Sequence, residues 1–226
     1  MRGSLSRAAL VLGLLGATLG VALDAWHVAT GTTWYASPWR FGIAAWTVPL
    51  FTAAGVSVGT FPVVVERALG RVVPPPTPGR ALAALGLFVG AYLASGVFRG
   101  AVCALVLAAL VVATYLASGR PPMAHAAAHA AFAALGGALV EILLVHGGAF
   151  SYADARLLGV APWLPLLYAC ASLALTPLAR GLAADAWPSR HPAVGVTARG
   201  RRARGGRGRA SRHRARRGSG SGRGSR

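Results

Sequence analysis

Six apolar runs, each close to the roughly 20 residues that carry an α-helix across a bilayer, constrain this chain more than any other feature. They lie at about 8–28, 42–64, 81–97, 101–117, 123–145 and 161–180. Between them stand short connections of arginine, proline and aromatic residues. Only 12% of the residues are charged while 55% are hydrophobic, too little charge to cover a soluble surface. The expected fold class is all-α, an integral membrane bundle of six transmembrane helices. Residues 1–7 precede the bundle, 8–182 form it, and 183–226 make an Arg/Gly-rich tail.

The arginines orient the bundle. Six crossings put both termini on one side. The N-terminus, the Pro-rich loop with Arg80, the loop at Arg120, and Arg180 with the tail hold twenty of the 23 arginines. The other side has Arg40, Arg99 and Arg156. Positive residues stay on the cytoplasmic side, so both termini are expected to be cytoplasmic. The net charge of +18 belongs mostly to the tail, where thirteen arginines follow residue 188 without an acid. The chain has no Lys, Asn or Gln, which points to a GC-rich genome and leaves Asp, Glu, His, Ser, Thr and Tyr to do the polar work.

Local signals agree with this layout. Arg2 and Arg7 flank a first run too long for a signal-peptide core, so it is read as a retained helix. Trp34, Tyr35 and Trp39 in the first connection suit the headgroup level. Glu66, Arg67 and Arg71, with Pro74, Pro75, Pro76 and Pro78, read as a stiff polar loop. Cys103 and Cys170 fall inside apolar runs and read as small core residues without a disulfide. Gly16 with Gly20, and Gly55 with Gly59, form GxxxG pairs that fit close helix packing or a dimer face.

Ionisable residues at membrane depth are the candidates for function, because hydrocarbon does not solvate them. Asp24 and His27 are three apart and share a face near the end of the first run. They read either as a polar patch for a lipid headgroup or as interfacial residues that touch water and each other. Glu141 sits near the same end of the fifth run. It reads either as a partner of Asp24 at the polar end of a shared pocket or as a tether between helices. His125 and His129 share a face, but a zinc site needs a third ligand. Glu141 lies about 18 Å from His129 at about 1.5 Å per residue, so no metal site is expected.

Nothing in the sequence marks catalysis: GxSxG, HExxH, Cys-rich metal patterns and phosphate-binding glycine loops are absent. No enzyme activity and no cofactor are expected. The alternative is a small transporter or intramembrane enzyme that relays protons through Asp24, His27 and Glu141. The tail, with the RGGRGR run at 204–209, reads as disordered. It is expected to contact anionic lipids rather than nucleic acid.

Glu141, Gly147, Tyr152 and Trp163-Leu164-Pro165 follow one another as in the last part of the Insig (insulin-induced) proteins, which this chain resembles over about residues 10–182. Ala45-Trp46-Thr47-Val48-Pro49, with Gly59 and Pro62, is similar to that family's second span. Phe88-Val89-Gly90 with Ala94-Ser95 is similar to its third. The resemblance implies a non-enzymatic bundle with a central lipid cavity, for a sterol or for a diacylglycerol as in bacterial relatives. Eukaryotic members act in the endoplasmic reticulum by retaining the escort protein Scap and by bringing HMG-CoA reductase to ubiquitin ligases. Scap-type pairing is not carried over, because the acid it needs has no counterpart around Ser118, Gly119 and Arg120. The expected membrane is the endoplasmic reticulum for a eukaryotic chain and the plasma membrane for a bacterial one. The residues expected to border the lipid are Asp24, His27, Trp46, Glu141, His146 and Trp163.

Overall fold

The computed structural model describes residues 2–71 and 73–184. All but the first two residues of the expected tail, and the lipid contacts expected of it, lie outside the described residues. Helices α1 (Arg2–Leu15) and α2 (Val21–Ala29) join through a π-helical turn, Gly16–Gly20, to make the first span. Then come α3 (Thr47–Ala68), α4 (Pro78–Val97), α5 (Gly100–Ala117), α6 (Met123–His146) and α7 (Leu164–Ala183). Six helices among the described residues are therefore long and apolar enough to cross a membrane. Two short strands, β1 (Thr33–Tyr35) and β2 (Phe150–Tyr152), pair antiparallel. This ribbon links the loop after the first span to the loop before the last.

The last span is the axis of the bundle. It is 78% buried over its membrane-length window, against 11–28% for the other five. Its sequence explains the place it takes. Ala169, Cys170, Ala171, Ser172 and Ala174 present small side chains on every face, so neighbours approach from all sides. The outer helices instead turn leucine, valine and phenylalanine toward lipid, among them Leu105, Leu135 and Leu143. Cys103 and Cys170 are buried and free, as small core residues.

The two GxxxG pairs face each other. A Cβ on Gly16 would fall 2.0 Å from the Phe51 carbonyl oxygen, and one on Gly55 would fall 2.4 Å from that of Leu12. A Cβ on Gly59 would meet the Leu12 side chain at 2.5 Å. The first and second spans thus touch backbone to backbone, and the glycines serve packing within the chain. A proline inside α3 is accommodated in the same economical way. Pro62 has no N–H to give the Val58 carbonyl, and Thr176 Oγ1 on α7 donates to that oxygen instead, at 3.4 Å.

The second span is displaced relative to the sequence expectation of 42–64. Residues 42–46 belong to an irregular turn with Phe41 and Gly42 at positive φ, and the helix runs on through Glu66. Glu66 is therefore not part of the polar loop. It is buried, and Arg180 on α7 holds it bidentately, Nε at 3.0 Å and Nη2 at 2.5 Å. His129 Nδ1 on α6 lies 3.6 Å from the same carboxylate. His125 stands apart, with its Nε2 accepting from Arg71 at 2.6 Å. This ion pair fastens the ends of three spans at the arginine-rich end of the bundle.

Two outcomes follow for stability. Gly16→Val or Gly55→Val forces side-chain atoms into backbone and is expected to lower stability by about 1–3 kcal/mol. Thermal melts in detergent should show this, while Gly86→Ala and Gly90→Ala, which meet open space, should melt like the parent. Glu66→Leu leaves Arg180 buried without its partner and is expected to cost about 3–5 kcal/mol, most of it regained in Glu66→Leu/Arg180→Leu. A double variant no more stable than the single one would show that the pair contributes more than mutual compensation.

Candidate functional site

A cavity of about 320 Å³ lies between α3 and α6. Leu50, Ala53, Ala54, Ser57 and Val58 line it from α3, and Phe132, Ala133, Gly136, Gly137 and Val140 from α6. Ala53, Ser57, Phe132 and Val140 are exposed, so the cavity opens sideways between the two helices, toward lipid. Phe61 stacks on Phe132 at 4.5 Å and narrows it toward the arginine-rich end. A narrower cavity of about 80 Å³ continues inward between the first span, α4 and α7. Phe51, Tyr92, Glu141, Tyr152 and Tyr168 border both.

The small sheet closes the opposite end. Its register pairs Thr33 with Tyr152 and Tyr35 with Phe150. Strand side chains alternate, so these four turn inward while Trp34 and Ser151 face out. Tyr35, Trp46 and Phe150 pack ring against ring, with Tyr35 to Phe150 at 5.4 Å and Tyr35 to Trp46 at 5.5 Å. The cavity thus has an aromatic roof with phenol hydroxyls hanging into it.

Those hydroxyls hold the two carboxyl groups. Tyr35 donates to Asp24 Oδ2 at 2.6 Å. Tyr168 donates to Glu141 Oε1 at 2.5 Å, and Tyr152 donates to Oε2. Burial, then the neighbouring carboxylates, push the Tyr35 and Tyr152 phenols above their ordinary range, which keeps both as donors. Gly137 makes room for this arrangement: a Cβ there would lie 2.4 Å from the Tyr168 ring. His27 is held through one ring nitrogen. Its Nε2 lies 2.9 Å from Ser95 Oγ and 3.2 Å from the Tyr92 carbonyl oxygen. A carbonyl only accepts, so Nε2 carries the proton.

The residues expected from sequence divide by position. Asp24, Trp46 and Glu141 line the larger cavity, and His27 and Glu141 line the narrower one. Trp163 is buried behind them, edge-on to His27 at 5.8 Å and to Tyr152 at 6.2 Å, and borders neither cavity. His146 does not join the site. It is exposed, with Nδ1 bonded to the Ile142 carbonyl oxygen at 2.8 Å. Five residues beyond Glu141, it sits roughly 140° around the helix and about 7.5 Å further along.

No sequence motif marks the tyrosines as partners of the carboxyl groups. The chain has five, and Tyr35, Tyr92, Tyr152 and Tyr168 surround these cavities. In a chain without Asn or Gln, tyrosine is the large neutral donor at hand, and that was readable from composition. Chemically, the site offers carboxyl oxygens and phenol hydroxyls at one end of an apolar chamber. Such a pattern can exchange hydrogen bonds with a ligand hydroxyl. Among the described residues no group of three or more His, Cys, Asp and Glu could hold a metal ion.

No protein-family model matches the chain, and no curated protein matches it by sequence. Solved structures do. The chain is similar to MvINS, a mycobacterial Insig homologue from Mycobacterium vanbaalenii, with 28% identity and a TM-score of 0.67 over 82% of this chain and 96% of that one. It is likewise similar to a cross-linked MvINS trimer carrying an arginine-to-cysteine substitution, with 30% identity, a TM-score of 0.68 and the same coverage. Both are six-helix membrane proteins, and the likeness runs through nearly their whole length. With six spans in the same order and a likeness that covers nearly all of those chains, this chain belongs to the Insig family.

Proposed function

We propose that this protein binds a single membrane lipid of the diacylglycerol or sterol type and acts through binding, without chemistry on the ligand. The observation that carries this reading is the composition of the chamber between α3 and α6. It is apolar along its length and polar at one end only, where Asp24 and Glu141 meet tyrosine hydroxyls. At about 320 Å³ it has the size of a small-molecule site, with a sideways mouth for the rest of an acyl chain. A lipid hydroxyl at the closed end would donate to a carboxyl oxygen or accept from a phenol, replacing one internal hydrogen bond by another. The apolar body would lie along Ala54, Val58 and Ala133. A diacylglycerol or sterol has one hydroxyl and no charge, which suits a pocket whose polar groups are already satisfied. The arginine-rich end is taken as cytoplasmic, which puts the ligand hydroxyl in the far half of the membrane. Binding would reach membrane partners through the faces of α3 and α6 that frame the mouth.

Native mass spectrometry of the full chain, released from a mild detergent, tests this directly. One neutral lipid is expected to stay bound to each chain. Glu141→Leu is expected to reduce its retention about tenfold, the effect of losing one hydrogen bond to a charged or strongly polar group. Ser57→Trp, which fills the mouth, should exclude it. Unchanged lipid occupancy in both variants would overturn the assignment. Dissipation of a pH gradient in proteoliposomes by the parent but not by Glu141→Leu would replace it with proton transport.

A further inference from the structure

A second chamber lies at the opposite, arginine-rich end. It is a basin of about 320 Å³ between the loop 73–77, which leads into α4, and the loop 118–122, which follows α5. Arg80, Arg120 and Arg180 line it together with the Thr77 and Ser118 positions. We propose that this basin binds a phosphate group, carried by a lipid headgroup or free in solution.

Charge makes the case first. Of the carboxylates in the described residues, Asp24, Glu141 and Asp154 belong to the other half of the bundle. Glu66 alone stands at this end, and it is spent on Nε and Nη2 of Arg180. Among the described residues nothing accepts from Arg180 Nη1, although the side chain is buried and borders the basin. Arg80 reaches only the Leu116 carbonyl oxygen, at 3.4 Å. Arg120 has no partner among the described residues. Three arginines therefore border one basin, and the single carboxylate that the described residues place at this end is already engaged by Arg180. Arginines gathered at one basin are matched by an anion, and the planar fork of arginine fits the oxygens of phosphate.

The shape and depth of the basin agree. Pro74, Pro75 and Pro76 face Pro121 and Pro122 across it, so its walls are stiff before any ligand arrives. Helices α4 and α5 are spans that meet these loops at Pro78 and Ala117, which sets the basin at the level of lipid headgroups. The sequence after the described residues holds thirteen arginines against one acid, Asp185. The basin is independent of the lipid chamber, and its test stands whether or not that chamber holds a lipid.

The probes are phosphatidic acid and inorganic phosphate, added separately and together to the full chain in neutral detergent. Adducts are read by native mass spectrometry and melting by tryptophan fluorescence. The expected result is one phosphatidic acid per chain, or a rise in melting temperature with inorganic phosphate. Arg120→Gly should weaken that effect about tenfold, by loss of one charge-assisted partner. Glycine suits the positive φ of 53° at that position, so the variant should fold. Arg71→Ala removes the same charge from the same end but outside the basin, and should bind like the parent. If millimolar phosphate displaces the lipid adduct, or stabilises alone, the site takes free phosphate; an adduct that resists it assigns a headgroup. Equal losses in Arg120→Gly and Arg71→Ala, no loss in Arg120→Gly, or no response to either probe, would overturn the proposal.

Discussion

A carboxyl group below the membrane surface has to be satisfied by protein, because hydrocarbon offers no donor. Most of the internal arrangement of this bundle follows from that constraint. Glu141 needs two donors and receives them from Tyr152 on the sheet and Tyr168 on α7. Asp24 receives one from Tyr35. The ribbon of β1 and β2 is thus more than a loop clasp, since its register sets both Tyr35 and Tyr152 against the carboxyl groups. Gly137 belongs to the same device, because a side chain there would push Tyr168 off its partner. The carbonyl freed by Pro62 obeys the rule as well, through Thr176.

The two ends of the bundle meet the constraint in different ways, and the difference bears on function. At the arginine-rich end Glu66 is matched by a cation on the central helix, in a bidentate pair that is costly to open. At the sheet end the partners are neutral phenols. A phenol can surrender its hydrogen bond to a ligand hydroxyl without leaving a bare charge behind. The first end therefore suits a permanent fastening of α3, α6 and α7, and the second an exchangeable site. The chamber opens beside the exchangeable one, between helices that the ion pair and the Phe61–Phe132 stack hold together at their far ends.

The spans and their alternation were legible because length and hydropathy are properties of the chain alone. The like depth of Asp24 and Glu141 in the first and fifth spans was legible too, but it left open whether Glu141 borders a shared pocket or tethers helices; both line one chamber, and Glu141 also ties α6 to α7 through Tyr168. The facing glycines were visible as motifs, but their partner was not, since GxxxG does not say which helix it meets. Glu66 was misplaced because charge beside proline reads as loop, and only Arg180, far along the sequence, makes it tolerable inside a helix. The sheet escaped notice because three-residue strands carry no periodicity worth reading. His146 looked close to Glu141 in sequence, but helical rotation carries it to another face. Trp163 was placed correctly at the entry to α7 and is a wall behind the site, not its surface.

A proton relay needs titratable or hydroxyl groups in succession, and their distribution separates the two uses of the same carboxyl groups. A path from Glu141 to the Glu66–His129 cluster would have to cover about 18 Å along α6, the rise of twelve helical residues. The chamber over that distance is lined by Ala54, Val58, Phe132, Ala133 and Gly136, none of which exchanges protons. Ser57 is the one hydroxyl among its α3 neighbours, and it points back to the Ala54 carbonyl oxygen at 3.2 Å. His27, the other candidate for a relay, is tied to Ser95 and Tyr92 on the far side of the narrower cavity. Polar groups gathered at one end of an apolar chamber favour a ligand with one hydroxyl and a long hydrocarbon body over a moving proton.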